Sequence, residues 1–167
     1  MTTSAEAPIR PDRAFLLAHP AHLLALGLGS GLSPWAPGTA GTLFGWLLFA
    51  ALEPVFGGPA FLLLVALAFA LGVPACQRAG AALGRADHGS IVWDEIVAIW
   101  LVLALAPPTL AWQAAAVALF RVFDILKPPP ADWIDRNMKT GFGVMLDDLA
   151  AAFHTLLALA VLVRLTS

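Results

Sequence analysis

Nine of the chain's twenty formal charges fall within the 28 residues from Arg121 to Asp148, RVFDILKPPPADWIDRNMKTGFGVMLDD. They are Arg121, Asp124, Lys127, Asp132, Asp135, Arg136, Lys139, Asp147 and Asp148. A second acidic segment holds Asp87, Asp94 and Glu95. Histidine and cysteine are scarce in both stretches. An oxygen-only ligand set suits Mg²⁺ rather than zinc or copper. Carboxylates gathered out of water repel one another, and a divalent cation with Arg121 and Lys127 would balance them. A guanidinium, an ammonium and a metal are the parts needed to hold a phosphate. This combination points to phosphoryl chemistry on a membrane-borne substrate, with metal-activated water as the nucleophile.

The elements that position these groups are oily. The apolar fraction is 60% and the charged fraction 12%, against about 45–50% and about 25% in ordinary soluble domains. Mean hydropathy is +0.84. A length of 167 residues suits one domain, and a net charge of −2 argues against nucleic acid as a partner. Cys76, the single cysteine, can form no internal disulfide. Residues 1–13 read as a flexible polar tail and 14–167 as a single helical membrane domain. The expected fold is all-α: a multi-helix membrane-embedded bundle with short broken helices and a Gly/Pro-rich loop lining the site.

The segment 27–42, GLGSGLSPWAPGTAGT, reads as non-helical. At membrane depth such backbone must be buried in protein or line a polar cavity. Its N–H groups, with Ser30, Ser33 and Thr39, could receive an anion; a plain turn is the competing reading. A short helix over 43–52 should end at Glu53-Pro54. The charge-free run 54–77 is long enough to cross a bilayer. Ser90 can cap a helix from Ile91. Asp94 to Pro107 and Pro108 to Arg121 are both 13 residues, so a helical hairpin turning at Pro107-Pro108 would bring Asp94–Glu95 level with Arg121–Asp124. A single straight helix over 96–120 would separate the two clusters, and the double proline disfavours it. Residues 131–137 read as a short interfacial helix anchored by Trp133, Gly141–Gly143 as a tight turn, and Met145 as the start of a last helix too short for a full span.

Each group also has a plainer reading. Asp147 and Asp148 could merely favour a helix N-terminus, Arg121–Asp124 could be a structural ion pair, and Asp132 could pair with Arg136 at the wet interface. His19, His22 and His154 read as structural. Several phosphatase logics are absent: no C-x5-R, no D-x-D, and no D-x2-D-G-x2-A-R.

Three blocks, GSGLSPWAPGTAGT (29–42), DHGSIVWDE (87–95) and the stretch 121–148, resemble the signature blocks of the phosphatidylglycerophosphatase A family in order and approximate spacing. The resemblance implies a helical, membrane-bound enzyme. Its implied reaction is Mg²⁺-dependent hydrolysis of phosphatidylglycerophosphate to phosphatidylglycerol and inorganic phosphate. On this reading the metal ligands are Asp94, Glu95, Asp147, Asp148, Asp124 and Asp87. Arg121 and Lys127 bind phosphate with Ser30, Ser33 and Thr39. Asp135 orients water or protonates the leaving group, and Asp124, Arg121 and Lys127 complete the catalytic set. The partners implied are a phospholipid substrate and the bilayer. Basic residues flanking the blocks place them on the cytoplasmic face of a bacterial inner membrane. The alternative is a cation or proton transporter using clustered intramembrane carboxylates, and a third reading is a structural protein that binds Mg²⁺ for stability alone.

Overall fold

The computed structural model of the chain describes residues 10–166, and most of the expected polar tail lies outside them. Eight α-helices follow in order: α1 Arg13–Leu17, α2 Pro20–Ala25, α3 Pro37–Phe56, α4 Gly58–Ala82, α5 Trp93–Leu105, α6 Leu110–Leu126, α7 Ala131–Asn137 and α8 Gly141–Thr166. Gly27–Leu32 forms tight 3-10 turns between α2 and α3. No strand occurs among the described residues.

The short helix α5 is the hub. Every residue from Trp93 to Trp100 is buried, and α3, α4, α6 and α8 pack around it. A helix apolar on all sides belongs in a core. Around it, α3, α4 and α8 are long and apolar enough to span a membrane, at 20, 25 and 26 residues. They turn Leu47, Leu63, Leu67, Phe153, Leu157 and Val161 outward. An apolar exterior of this kind fits lipid rather than water. Buried indole donors are matched to helix carbonyls: Trp93 Nε1 donates to Ala68 O at 3.0 Å and Trp100 Nε1 to Gly45 O at 2.8 Å. Without water nearby, each would otherwise be costly.

The helical hairpin exists as the proline spacing predicts, with α5 ending and α6 beginning on either side of Pro107-Pro108. Helix α7 also has the expected bounds, and Trp133 is exposed. Four expectations are corrected. Helix α3 begins at Pro37, not 43, and runs through Pro54. Proline is acceptable at the first position, and Pro54 lies in the last turn. Glycines 41 and 45 are spacers there: a Cβ on Gly41 would meet the Val92 side chain, and one on Gly45 would meet Ile99 and the Ile96 backbone. Helix α4 extends past Gln77 to Ala82. Helix α5 starts at Trp93 rather than Ile91, and Ser90 does not cap it: the cap position is Val92, whose side chain offers no acceptor and whose own N–H is held by Ala25 O at 2.9 Å. Helix α8 starts at Gly141, so it is not short and 141–143 is no free turn. Added Cβ atoms at Gly141 and Gly143 would strike Val73 O and Met138 O respectively. Thr140 Oγ1 accepts from Gly143 N–H at 3.2 Å, and Gln77 Oε1 from Gly141 N–H at 2.6 Å.

Candidate active site

Helix direction decides where the charges meet. The N-termini of α3, α5 and α8 and the C-termini of α4 and α6 share one end of the bundle. Of the described charged side chains, only Glu53 and Arg164 belong to the opposite end.

Two linked clusters form at the shared end. In the first, Arg121 Nη1 donates to Asp124 Oδ2 at 2.5 Å, to Glu95 Oε1 at 3.2 Å and to Thr42 Oγ1 at 3.4 Å. Arg121, Glu95 and Asp124 side chains are all less than 20% exposed. Thr42 is fully buried and donates its own hydroxyl to Gly38 O at 3.0 Å. The start of α3 is pressed against this group. A Cβ on Gly38 would collide with Glu95 Oε1 and lie 3.1–3.2 Å from the Arg121 Nη atoms. No side chain caps α3, and a helix start carries first-turn N–H groups that favour an anion.

In the second cluster, Lys127 Nζ lies 2.5 Å from Asp147 Oδ2, 3.7 Å from Asp135 Oδ2 and 3.8 Å from Asp87 Oδ2. One carboxylate oxygen from each of these aspartates lies within 4.8 Å of the others, a spacing that could hold a metal ion. Lys127 ends α6 with φ 44°. Burial works against its charge, but Asp147, then Asp87 and Asp135, outweigh it and hold the ammonium well above the ordinary lysine range. Burial likewise works against the Asp135 charge, and Lys127 with Lys139 outweighs it, leaving that carboxyl below the usual carboxylate range.

Four buried polar atoms here have no hydrogen-bond partner: Asp94 Oδ1, Glu95 Oε2, Asp148 Oδ2 and Arg121 Nε. Asp94 and Asp148 are 6% and 3% exposed. Buried carboxylate oxygens left without donors are costly. A cation beside the carboxylates and an anion beside the guanidinium would satisfy both sides. The donor set is oxygen-only, as a hard divalent ion prefers.

The structure therefore gathers Asp87, Asp94, Glu95, Arg121, Asp124, Lys127, Asp135, Asp147 and Asp148 as the sequence predicts, with some partners changed. Asp135, expected to handle water, joins the tightest acidic triad. Asp124 is engaged by Arg121. Thr39 stands in the first turn of α3, but Ser30 and Ser33 are bound locally, to Gly27 O at 2.8 Å and Trp35 O at 2.7 Å. With Arg13 they line a separate depression of about 520 Å³. Asp132 pairs with Arg136 at 3.6 Å on the surface. The histidines take local roles: His19 caps α2, His22 stacks on Phe15 with ring centroids 4.2 Å apart, and His154 bonds Ala150 O at 2.8 Å. Sequence reasoning missed Gly38 and Thr42. Their signal was the G-x2-G-x3-G spacing of residues 38, 41 and 45 with Thr42 on the same helical face.

A carboxylate cluster that could hold a metal ion, beside a guanidinium at one end of an apolar bundle, fits a membrane-embedded phosphatase. The chain belongs to the phosphatidylglycerophosphatase A family: the family so described matches residues 23–163. A protein of Haemophilus influenzae named Phosphatidylglycerophosphatase A is 49% identical over 88% of this chain and 91% of its own length. One of Escherichia coli with the same name is 44% identical over 81% of this chain and 78% of its own. A Bacteroides thetaiotaomicron protein, provisionally named a phosphatidylinositol-3-phosphatase, is 38% identical over 83% of this chain and 91% of its own. No solved structure matches the chain.

Proposed function

We propose that residues 14–167 form one catalytic domain that hydrolyses phosphatidylglycerophosphate to phosphatidylglycerol and inorganic phosphate during phospholipid biosynthesis. It acts with Mg²⁺ at the cytoplasmic face of the bacterial inner membrane. The observation that carries this reading is the pairing of three unpartnered buried carboxylate oxygens with an unpartnered guanidinium nitrogen at one end of a lipid-facing bundle.

Asp87, Asp135 and Asp147 would hold a Mg²⁺ ion, with Asp94, Glu95 and Asp148 completing the acidic wall. When bound, Mg²⁺ supplies Lewis-acid stabilisation of phosphoryl charge and lowers the pKa of water. Arg121 offers Nε to a phosphate oxygen while Nη1 stays tied to Glu95 and Asp124, which hold the guanidinium still. The first-turn N–H groups of Gly38 and Thr39 add neutral donors to the same anion. Asp135 is the most water-accessible carboxylate of the triad apart from Asp87. Its Oδ1 stays bonded to Lys139 while Oδ2 faces the pocket, so it would orient the attacking water, whose proton passes through solvent at this exposed rim to the glycerol oxygen as the ester P–O bond breaks. The acyl chains stay in lipid along the exposed leucines of α3, α4 and α8.

A transporter needs polar groups along the bilayer depth. These carboxylates gather at one end, which favours the hydrolase. The cytoplasmic orientation rests on Arg78, Arg85, Lys127, Arg136 and Lys139 flanking the site. The test is phosphate release by detergent-purified protein, with and without Mg²⁺. Substrates are phosphatidylglycerophosphate, phosphatidic acid, phosphatidylinositol 3-phosphate and a soluble phosphomonoester. Mg²⁺-dependent release from the first alone is expected. Equal release from the inositol lipid would overturn the substrate, and release from none by folded protein would overturn the activity.

A further inference from the structure

We propose that Lys127 is an internal counter-ion: its ammonium occupies the Asp87–Asp135–Asp147 pocket when no divalent cation is there, and metal entry displaces it. The inference rests on the divalent-metal reading given above.

Three carboxylate oxygens within 4.8 Å of one another leave room for one cation between them. Lys127 Nζ fills that role, at 2.5, 3.7 and 3.8 Å from Asp147, Asp135 and Asp87. A Mg²⁺ ion draws its oxygens to about 2.0–2.1 Å, so it must take the space the ammonium fills. Two cations at that separation in a partly buried site repel strongly. Ammonium and metal therefore exclude each other from the pocket. The other charged neighbour, Lys139, contacts Asp135 through Oδ1 at 3.2 Å from the exposed rim, so it need not leave when Lys127 does.

The backbone suits a swinging side chain on a fixed root. Lys127 N–H is bonded to Phe123 O at 2.8 Å, and Pro128–Pro130 follow. The chain is anchored, so re-aiming the ammonium needs only rotation about the bonds of its four-carbon stem. Arg121 stands on the same helix, six residues earlier, facing the phosphate position. A displaced ammonium has its nearest new use there, as a point charge on the incoming phosphate. The order is thus metal first, then substrate, and in the meantime the carboxylates are never left uncompensated.

The test uses metal-stripped, detergent-purified full chain and Mn²⁺ as the probe, with free Mn²⁺ counted by electron paramagnetic resonance. Lys127→Met should bind Mn²⁺ at least about tenfold more tightly than wild type, because it removes a competitor; one decade is about 1.4 kcal/mol. Equal or weaker binding by folded Lys127→Met would overturn the proposal and leave the metal reading standing. Absence of Mn²⁺ binding by folded wild type and variant alike would overturn both. A second measurement needs no variant: Lys127 acetylation in the wild-type protein, read by mass spectrometry. Reactivity should rise severalfold with saturating Mn²⁺, and unchanged protection would refute displacement.

Discussion

Gly38→Ala is the smallest perturbation that separates the catalytic geometry from the fold. It alters no charge and removes no hydrogen bond. Gly38 occupies the second position of α3, where alanine is favoured over glycine by at most about 1 kcal/mol. The backbone should therefore tolerate the change. The site should not, because the new methyl would overlap Glu95 Oε1 and crowd both Nη atoms of Arg121 at 3.1–3.2 Å. Neither side chain is free to retreat. Glu95 is buried on the central helix, and Arg121 is held by Asp124, Glu95 and Thr42. The Glu95 carboxylate must shift by something near an ångström and displace the guanidinium bonded to it, and a misplacement of about 1 Å in a positioning group costs roughly a hundredfold. That equals about 2.7 kcal/mol in the barrier. The assay is Mg²⁺-dependent phosphate release beside thermal melting in the same detergent. Activity down about a hundredfold with melting unchanged or raised is expected. Gly89→Ala serves as control, since its added methyl meets nothing. Near-wild-type turnover by Gly38→Ala would refute the assignment of the Arg121–Glu95 cluster as the phosphate seat.

Further outcomes follow from the same contacts. Arg121→Met leaves Glu95 and Asp124 buried without their partner, so it should cost about 3–5 kcal/mol of stability and abolish activity. Denaturant melts should show Arg121→Met combined with Glu95→Gln to be more stable than Arg121→Met alone. In metal-free protein, the raised Lys127 pKa contributes stability that is complete below the unfolded value of about 10.4. That stability is lost as pH rises through the higher folded value, so alkaline melting of Lys127→Met should lose this limb. The lowered Asp135 pKa works in the opposite sense: its contribution is complete above about pH 4 and fades as pH falls, and Asp135→Asn should flatten the acid limb of the metal-free melt. Leu67→Arg places a charge on the outward face of α4 at about 3 kcal/mol near mid-helix, and the membrane-inserted yield measured after expression should fall.

Legibility in the sequence followed the range of the physics involved. The hairpin was readable because Pro107-Pro108 stops helices locally and the two equal 13-residue arms carry their charges to one level. Helix α7 was readable because prolines 128–130 isolate it. The starts of α3 and α8 were not, because glycine has two uses that look alike in a sequence. At Gly29, φ is 106° and the residue does make a turn. At Gly41, Gly45 and Gly141 the missing side chain instead admits a neighbouring segment, as happens where helices approach closely in membranes, and at Gly143 it admits the Met138 backbone just before α8. Only the partner's position tells these apart. The same limit explains Ser30 and Ser33: their hydroxyls were correctly seen as donors, but nearby carbonyls, Gly27 O and Trp35 O, claimed them.

The depth of the site follows from the shortness of α5. Its 13 residues make it about 20 Å long, less than the roughly 30 Å hydrocarbon core. A carboxylate pair at the start of such a helix lies near one surface only if the far end is held below the other. The Pro107-Pro108 turn provides that, since α6 must return from the same level. Helices α3, α4 and α8 then supply the full thickness around a core too short to cross it. Asp94 and Glu95 thus sit buried among longer neighbours, while Asp87, Lys127 and Asp135 at the same end are partly exposed. Lengthening the hairpin by one turn on each arm, before Pro107 and after Pro108, should move the Pro107-Pro108 turn deeper and keep the carboxylate cluster intact, read as unchanged phosphate release. Deletion of one turn from α6 alone should break the Arg121–Glu95 contact and, with it, turnover.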